Sequence, residues 1–195
     1  MRGRHRGLSF YERERRMSTG VLREILLWIL TSVLAVALGV FFVVFWGLRI
    51  SVIGQSMEPG LVNGQSVLVD RLGPRLTGIH RGDIIAFYPG GNKEAHPYIK
   101  RVVGLPGDVI QITNGELLVN GVPGDLSGDY DKMEDAGIAG EAVVLGDGEY
   151  FTLGDNRNNS EDSRFAGIGA VAESAVVGRA WFALPKGDSG MGWIQ

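Results

Sequence analysis

The chain contains no cysteine. Disulfide staples and thiolate metal sites are therefore excluded. It also lacks a large charge of either sign, since the formal net charge is -3 over 195 residues. Nothing in that balance draws it to nucleic acid. No internal repeat period is visible along the chain. What a chain of this length does have is enough apolar surface for one domain and an appendage to fold without crosslinks. Glycine is abundant, at 30 residues, about twice the usual share of roughly 7%. It sits at turn positions along the whole chain, which points to many short strands rather than to disorder.

The charge is unevenly placed. Seven arginines (2, 4, 6, 13, 15, 16 and 23) precede Ile25, against three glutamates. An uncharged apolar run, Ile25 to Leu48, follows, and Arg49 stops it. As a helix its 24 residues would span roughly 36 Å, enough to cross a hydrocarbon core of about 30 Å with some tilt. Trp28 and Trp46 lie near its two ends, where indoles favour the membrane interface. A cleavable leader would have an apolar region of only about 7 to 15 residues with a small-x-small site behind it. Here the Ala-x-Ala, Ala35 to Ala37, lies in the middle of the run. A buried core helix is disfavoured because the run has no polar face to offer solvent. The pattern predicts a basic cytoplasmic tail (1–24), a retained lipid-spanning anchor (25–48) and a domain on the far side of a cell membrane (49–195).

From Ser51 onward the periodicity becomes that of β structure. Val67 to Val69, Ile84 to Phe87, Tyr98 to Val103, Val109 to Thr113, Leu117 to Val119, Tyr150 to Leu153 and Val176 to Ala183 read as strands. Asn63-Gly64, Asn114-Gly115 and Asn120-Gly121 punctuate them, a strong hairpin signal. The expected class is mainly β and mostly antiparallel. The stretch from about 124 to 148 is acidic and low in long apolar side chains, and reads as a loop-rich excursion. In the tail, Trp193-Ile194 reads as a final packing contact in preference to an interfacial anchor.

Three segments could carry chemistry. In Gly54-Gln55-Ser56-Met57-Glu58-Pro59-Gly60-Leu61, a serine stands between a flexible glycine and a chain-reversing proline. Taken alone, most such serines only cap or hydrogen-bond a turn. In Tyr98 to Asp108, strand alternation puts Lys100 on one face with Tyr98 and Val102. A surface lysine covering an apolar patch with its stem would look the same. A desolvated lysine would instead lose its proton readily, and a neutral amine can take the proton of a serine hydroxyl. The third segment, Gly154 to Arg164, alternates Asp155, Arg157, Asp162 and Arg164 with hydrogen-bonding side chains. That suits a turn crosslinked by ion pairs. A calcium loop fails, because Arg157 and Ser160 occupy positions where a ligand oxygen and a glycine are required.

Taken in order behind an anchor, four segments resemble the boxes of bacterial type I signal peptidases. They are Ser-Met-x-Pro-x-Leu, Gly-Asp-Ile-Ile-x-Phe (Gly82 to Phe87), Tyr-Ile-Lys-Arg-Val-Val-Gly-Leu-Pro-Gly-Asp and Gly-Asp-Asn-Arg-x-Asn-Ser-x-Asp-Ser-Arg. The likeness runs from the apolar run to about Val177 and is to compact, single-span members. It implies a β-rich peptidase domain, with the excursion in the place of a variable second subdomain. It implies Ser56 as acylated nucleophile, Lys100 as general base and Ser160 as the serine that hydrogen-bonds and orients that base. Asp155, Arg157, Asp162 and Arg164 match the framework of the site. Val52, Met57, Leu61, Tyr98 and Ile99 match positions lining the pockets for small substrate side chains. The implied substrates are exported preproteins with small residues at -1 and -3, and secretion machinery is a further partner the resemblance allows. No cofactor or metal is implied.

Two departures stand out. Gly60 occupies a position where the family most often has threonine. Gly54 stands where some members have a serine that helps the oxyanion hole, and one lost oxyanion donor can cost roughly 3 kcal/mol. The seven residue-to-residue steps from Arg49 to Ser56 reach at most about 25 Å, which keeps the serine near the membrane surface. Two rivals remain at this level. His96, four residues before Lys100, could be the base, as in another branch of signal peptidases. Alternatively, the domain could be a membrane-tethered β binding module without catalysis.

Overall fold

The computed structural model describes residues 19–124 and 130–194, apart from the side chains of 44–46. The arginines at 2, 4, 6, 13, 15 and 16, the Trp46 side chain and five residues of the excursion lie outside the described residues. The chain divides into two units at residues 41 and 42, the first holding most of the N-terminal helix and the second the β structure.

Helix α1 spans Thr19–Trp46. No proline interrupts it, and the Thr31 hydroxyl donates back to the carbonyls of Leu27 (2.9 Å) and Trp28 (3.0 Å), which satisfies that polar group within the helix. Mean hydropathy over Thr19–Val43 is 2.6. That length and composition suffice to cross a membrane. The helix begins before the apolar run and takes in Arg23 and Glu24. It also ends before the run does. Gly47 N–H closes the last turn on Val43 O at 2.9 Å, and Leu48 already belongs to a strand. The pairing of Leu48 with Val69 explains the difference, because Leu48 packs against buried side chains of the β unit.

Among the described residues, twelve strands follow: Leu48–Ser51 (β1), Ser66–Asp70 (β2), Ile84–Phe87 (β3), Tyr98–Gly104 (β4), Val109–Thr113 (β5), Glu116–Val119 (β6), Val122–Pro123 (β7), Val143–Val144 (β8), Glu149–Leu153 (β9), Val171–Ala172 (β10), Val176–Ala183 (β11) and Gly192–Trp193 (β12). The expected runs all fall on strands. The strands the sequence reading passes over are β1, whose Leu48 falls at the end of the apolar run, and β7, β8, β10 and β12, which have two residues each, too few to display a period of two. One sheet has the order β1-β2-β11-β3-β4-β9-β10, with β12 on β11, and the other has the order β7-β6-β5-β8. Every pairing is antiparallel. The late strand β11 thus lies between β2 and β3, both from the first half of the chain.

Asn114-Gly115 joins β5 to β6 and Asn120-Gly121 joins β6 to β7, with positive φ at all four residues, as two-residue hairpin turns require. The excursion between β7 and β8 contributes more packing than its composition promises. Met133 and Ala139 are buried in the core cluster that includes Ile110, Phe151 and Leu153. In the tail, Trp193 pairs with Phe182 and meets Trp181 with ring centroids 5.3 Å apart. Ile194 packs on the cluster containing Val67 and Val69.

Candidate active site

The serine loop leaves β1 at Val52, which is locked in place by Val52 N–H to Gln65 O (2.8 Å) and Gly64 N–H to Val52 O (2.6 Å). Gly54 takes φ +84°, a value that favours glycine. Its N–H donates to Asn63 Oδ1 at 3.1 Å. Beyond it, Met57 and Leu61 insert into the core at 0% and 2% exposure, so the loop is anchored on both sides of Ser56. The carbonyls of this loop are also held. Asn156 N–H donates to Ser56 O at 3.0 Å, Asn156 Nδ2 to Gln55 O at 3.2 Å and Asn159 Nδ2 to Gln55 Oε1 at 3.3 Å. Among the described residues, no backbone hydrogen bond uses the Ser56 N–H.

Lys100 lies in the middle of β4, between β3 and β9. It is only 4% exposed, and its Nζ donates to Ser56 Oγ at 2.6 Å. Tyr98, two residues earlier on the same face, places its ring centroid 5.6 Å from Nζ. Burial lowers the Lys100 pKa to about 8, against the opposing pull of Asp162 and Glu161; Arg164 lowers it and Asp155 raises it. A cleft of about 310 Å3 opens on the pair, and Val52, Tyr98 and Ile99 form part of its walls. Met57 and Leu61 do not line it. They are buried in the same core cluster as the wall residues Val52 and Ile99.

The 154–164 segment forms the frame. Asp162 is fully buried. Its carboxylate accepts from Arg164 Nε (2.9 Å) and Nη2 (3.0 Å), Gly154 N–H (3.0 Å) and Ser160 Oγ (2.7 Å). This bidentate pairing with several extra donors can hold a charge away from water. Asp155 is gripped in the same forked way by Arg101, at 2.8 Å for both Nε and Nη2. Arg157, 4% exposed, lies over the Tyr130 ring with its guanidinium carbon 4.0 Å from the centroid. Its Nε and Nη2 make no hydrogen bond among the described residues. The ring face supplies the compensating attraction.

Ser160 takes a different place from the one implied for it. Its hydroxyl donates to Asp162, and among the described residues no hydrogen bond joins it to Lys100. Its side chain packs over Gly154, as does the Ser56 carbonyl; a Cβ on Gly154 would collide with both. His96 borders the cleft, but its Nδ1 faces Pro97 O at 3.0 Å. Another cavity, of about 450 Å3, lies between the excursion and the frame and is bordered by Glu134, Ile138, Arg157 and Ser160.

Sequence reasoning missed Arg101 and the two asparagines, Asn156 and Asn159. Arg101 had a signal. Alternation sets it on the face opposite Lys100 in a central strand, where a cation needs a carboxylate. The asparagines gave none, because side-chain amides bonded to another segment's backbone leave no periodic trace.

A family model described as signal peptidase, peptidase S26, matches residues 25–184. Signal peptidase IB of Staphylococcus aureus is 32% identical over 177 residues, covering 82% of this chain and 89% of the relative. Signal peptidase I U of Bacillus subtilis is 37% identical over 131 residues, covering 64% and 68%. A crystal structure of a signal peptidase I from Enterococcus faecalis superposes with a TM-score of 0.41 at 33% identity, covering 52% of this chain and 95% of that one.

Proposed function

This chain belongs to the signal peptidase family, peptidase S26, and we propose that it cleaves signal peptides from exported preproteins with Ser56 as nucleophile and Lys100 as general base. The observation that carries the reading is the 2.6 Å contact between Lys100 Nζ and Ser56 Oγ, made by a lysine that is 4% exposed. A lysine of ordinary pKa is neutral at pH 7 in only about one molecule in 2,500, and one with a pKa of about 8 in roughly one in ten. Burial therefore supplies a base that can work near neutrality.

The steps follow acyl transfer. Neutral Lys100 takes the proton of Ser56 Oγ as the oxygen attacks the scissile carbonyl. The uncommitted Ser56 N–H stabilises the resulting oxyanion, with no hydroxyl at Gly54 to assist. The Lys100 ammonium then protonates the leaving amine, and an ester to Ser56 Oγ remains. The leaving amine is the new N-terminus of the mature protein; Lys100, neutral again, then takes a proton from water, which attacks the ester, and returns that proton to Ser56 Oγ as the signal peptide leaves as its carboxylate. Asp155, Arg157, Asp162 and Arg164 hold the frame. Ser160 acts as a positioning residue through Asp162, the charge that most favours the ammonium. Val52, Tyr98 and Ile99 form the walls against which small side chains at -1 and -3 fit, with Met57 and Leu61 behind them.

Anchoring by α1, with the N-terminus cytoplasmic and the β unit across the membrane, is the topology that the arginine bias and the length of the helix support. The test is cleavage of a model preprotein by the full chain in detergent micelles. Ser56→Ala and Lys100→Ala are each expected to lose at least about 10³-fold in kcat/KM, whereas His96→Ala retains cleavage. Full activity in either of the first two variants overturns the assignment.

A further inference from the structure

Glu161 borders the same cleft as Ser56 and Lys100. It is exposed, yet it is not a free surface glutamate. Its Oε2 accepts the Tyr98 hydroxyl at 3.0 Å, and Tyr98 is itself braced edge-on against Phe87, with centroids 6.2 Å apart. The carboxylate is thus tied to a rigid aromatic wall of the cleft. The other two carboxylates of its loop, Asp155 and Asp162, are each neutralised by a forked arginine. Among the described residues, Glu161 has no salt-bridge partner and is the one carboxylate lining the cleft. The Lys100 ammonium is turned to Ser56 Oγ. The second oxygen, Oε1, makes none of the described hydrogen bonds.

An acceptor that is held in place, unpaired and facing a peptide-binding cleft suits a cation supplied by the peptide. Holding it beforehand spares part of the ordering cost of binding. In an extended peptide, side chains alternate in direction. A side chain at -2, -4 or just past the cut therefore leaves the face that carries -1 and -3, and is free to reach a charged rim. We propose that Glu161, oriented by Tyr98, is a specificity-determining residue that selects a lysine or arginine of the preprotein at one such position. The proposal rests on the reading of Ser56 and Lys100 as the reacting pair, because their contact defines the cleft.

The experiment uses the full chain in detergent and one parent preprotein with alanine at -4, -2 and +1. Lysine and then glutamate are placed at each position in turn, and kcat/KM is measured for wild type, Glu161→Gln and Glu161→Lys. The expected result is a position where wild type prefers lysine over glutamate by about three- to fivefold, as for a solvent-facing ion pair. That preference vanishes in Glu161→Gln and reverses in Glu161→Lys. In wild type it also shrinks as salt rises from about 0.05 M to about 0.5 M, a readout that needs no variant. A wild type indifferent to charge at every position overturns the proposal, as does a lysine preference that survives Glu161→Gln or is insensitive to salt. The parent substrate separates this from the reading beneath it. If Ser56→Ala still cuts the parent, the reacting pair is wrong. If wild type cuts the parent, Ser56→Ala does not, and no charge preference is found, only the role of Glu161 is wrong.

Discussion

The Ser160 hydroxyl is bonded to Asp162 at 2.7 Å, so any influence of this serine on Lys100 passes through a carboxylate that also binds Arg164 and the Gly154 N–H. Ser160→Ala removes one of several donors to that carboxylate and is expected to lower kcat/KM by about tenfold, with a small change in stability of roughly 1 kcal/mol. Asp162→Ala strands the buried Arg164 guanidinium, at a cost of about 3–5 kcal/mol. Steady-state cleavage and denaturant midpoints of the two variants rank them. A Ser160→Ala enzyme as damaged as Asp162→Ala would show that the serine acts on the base directly.

Lys100 predicts a pH profile with a definite sign. In the proposed mechanism the reactive form is neutral, so kcat/KM should climb with pH through about 8 and level off above it. The groups that set the midpoint are Asp162, Glu161 and Asp155, which favour the ammonium, and Arg164, which opposes it. Glu161→Gln should therefore move the rising limb to lower pH. Stability is linked to the same proton. Between about 8 and 10.5 the unfolded chain binds this proton and the folded one does not, so the contribution of Lys100 to stability increases with pH across that window. Lys100→Met should be inactive yet no less stable than wild type, with its advantage greatest near pH 7. Thermal scans at pH 7 and pH 10 check it.

The Arg101–Asp155 fork is a buried pair, with side chains 13% and 5% exposed. Arg101→Ala leaves the Asp155 carboxylate without its forked partner, and a loss of about 3 kcal/mol is expected. Because Arg101 follows Lys100 directly on β4, activity should fall further than the unfolded fraction explains. Comparing cleavage well below the unfolding temperature with the midpoint shift separates the two effects.

Gly154 is required by space. A Cβ there would strike the Ser160 side chain and the Ser56 carbonyl. Gly154→Ala should displace the Ser56 loop and cost roughly 10²-fold in kcat, while Gly167→Ala, whose Cβ would meet nothing, should be silent. Equal activity in the two variants would show that the loop tolerates the shift.

Much of this was legible in the sequence, for identifiable reasons. Alternation marked the long strands and set Lys100 beside Tyr98, because one side of a buried strand must be apolar. Asn-Gly marked the β5–β6 and β6–β7 turns through their positive φ. Two-residue strands such as β8 and β10 were not legible, since two residues carry no period. The end of the helix was hidden as well, because Leu48 is apolar whether it faces lipid or packs on Val69. Within the site, the ion-pairing residue types of 155–164 could be read, but their partners could not. Ser160 lies two residues from Asp162 in sequence, whereas the Lys100 side chain comes from another strand. Which of them a hydroxyl reaches is decided by the path of the loop.

The placement of β11 has a bearing on timing. β1 and β2 lead to the loop carrying Ser56, and β3 and β4 carry Lys100, but within the large sheet the two pairs are joined only through Val176–Ala183. Closing such long-range pairings is slow compared with forming local hairpins. A newly made copy would accordingly stay harmless to other chains until Val176–Ala183 had been synthesised and had docked between the two pairs. Its ability to cut arrives with the last long strand.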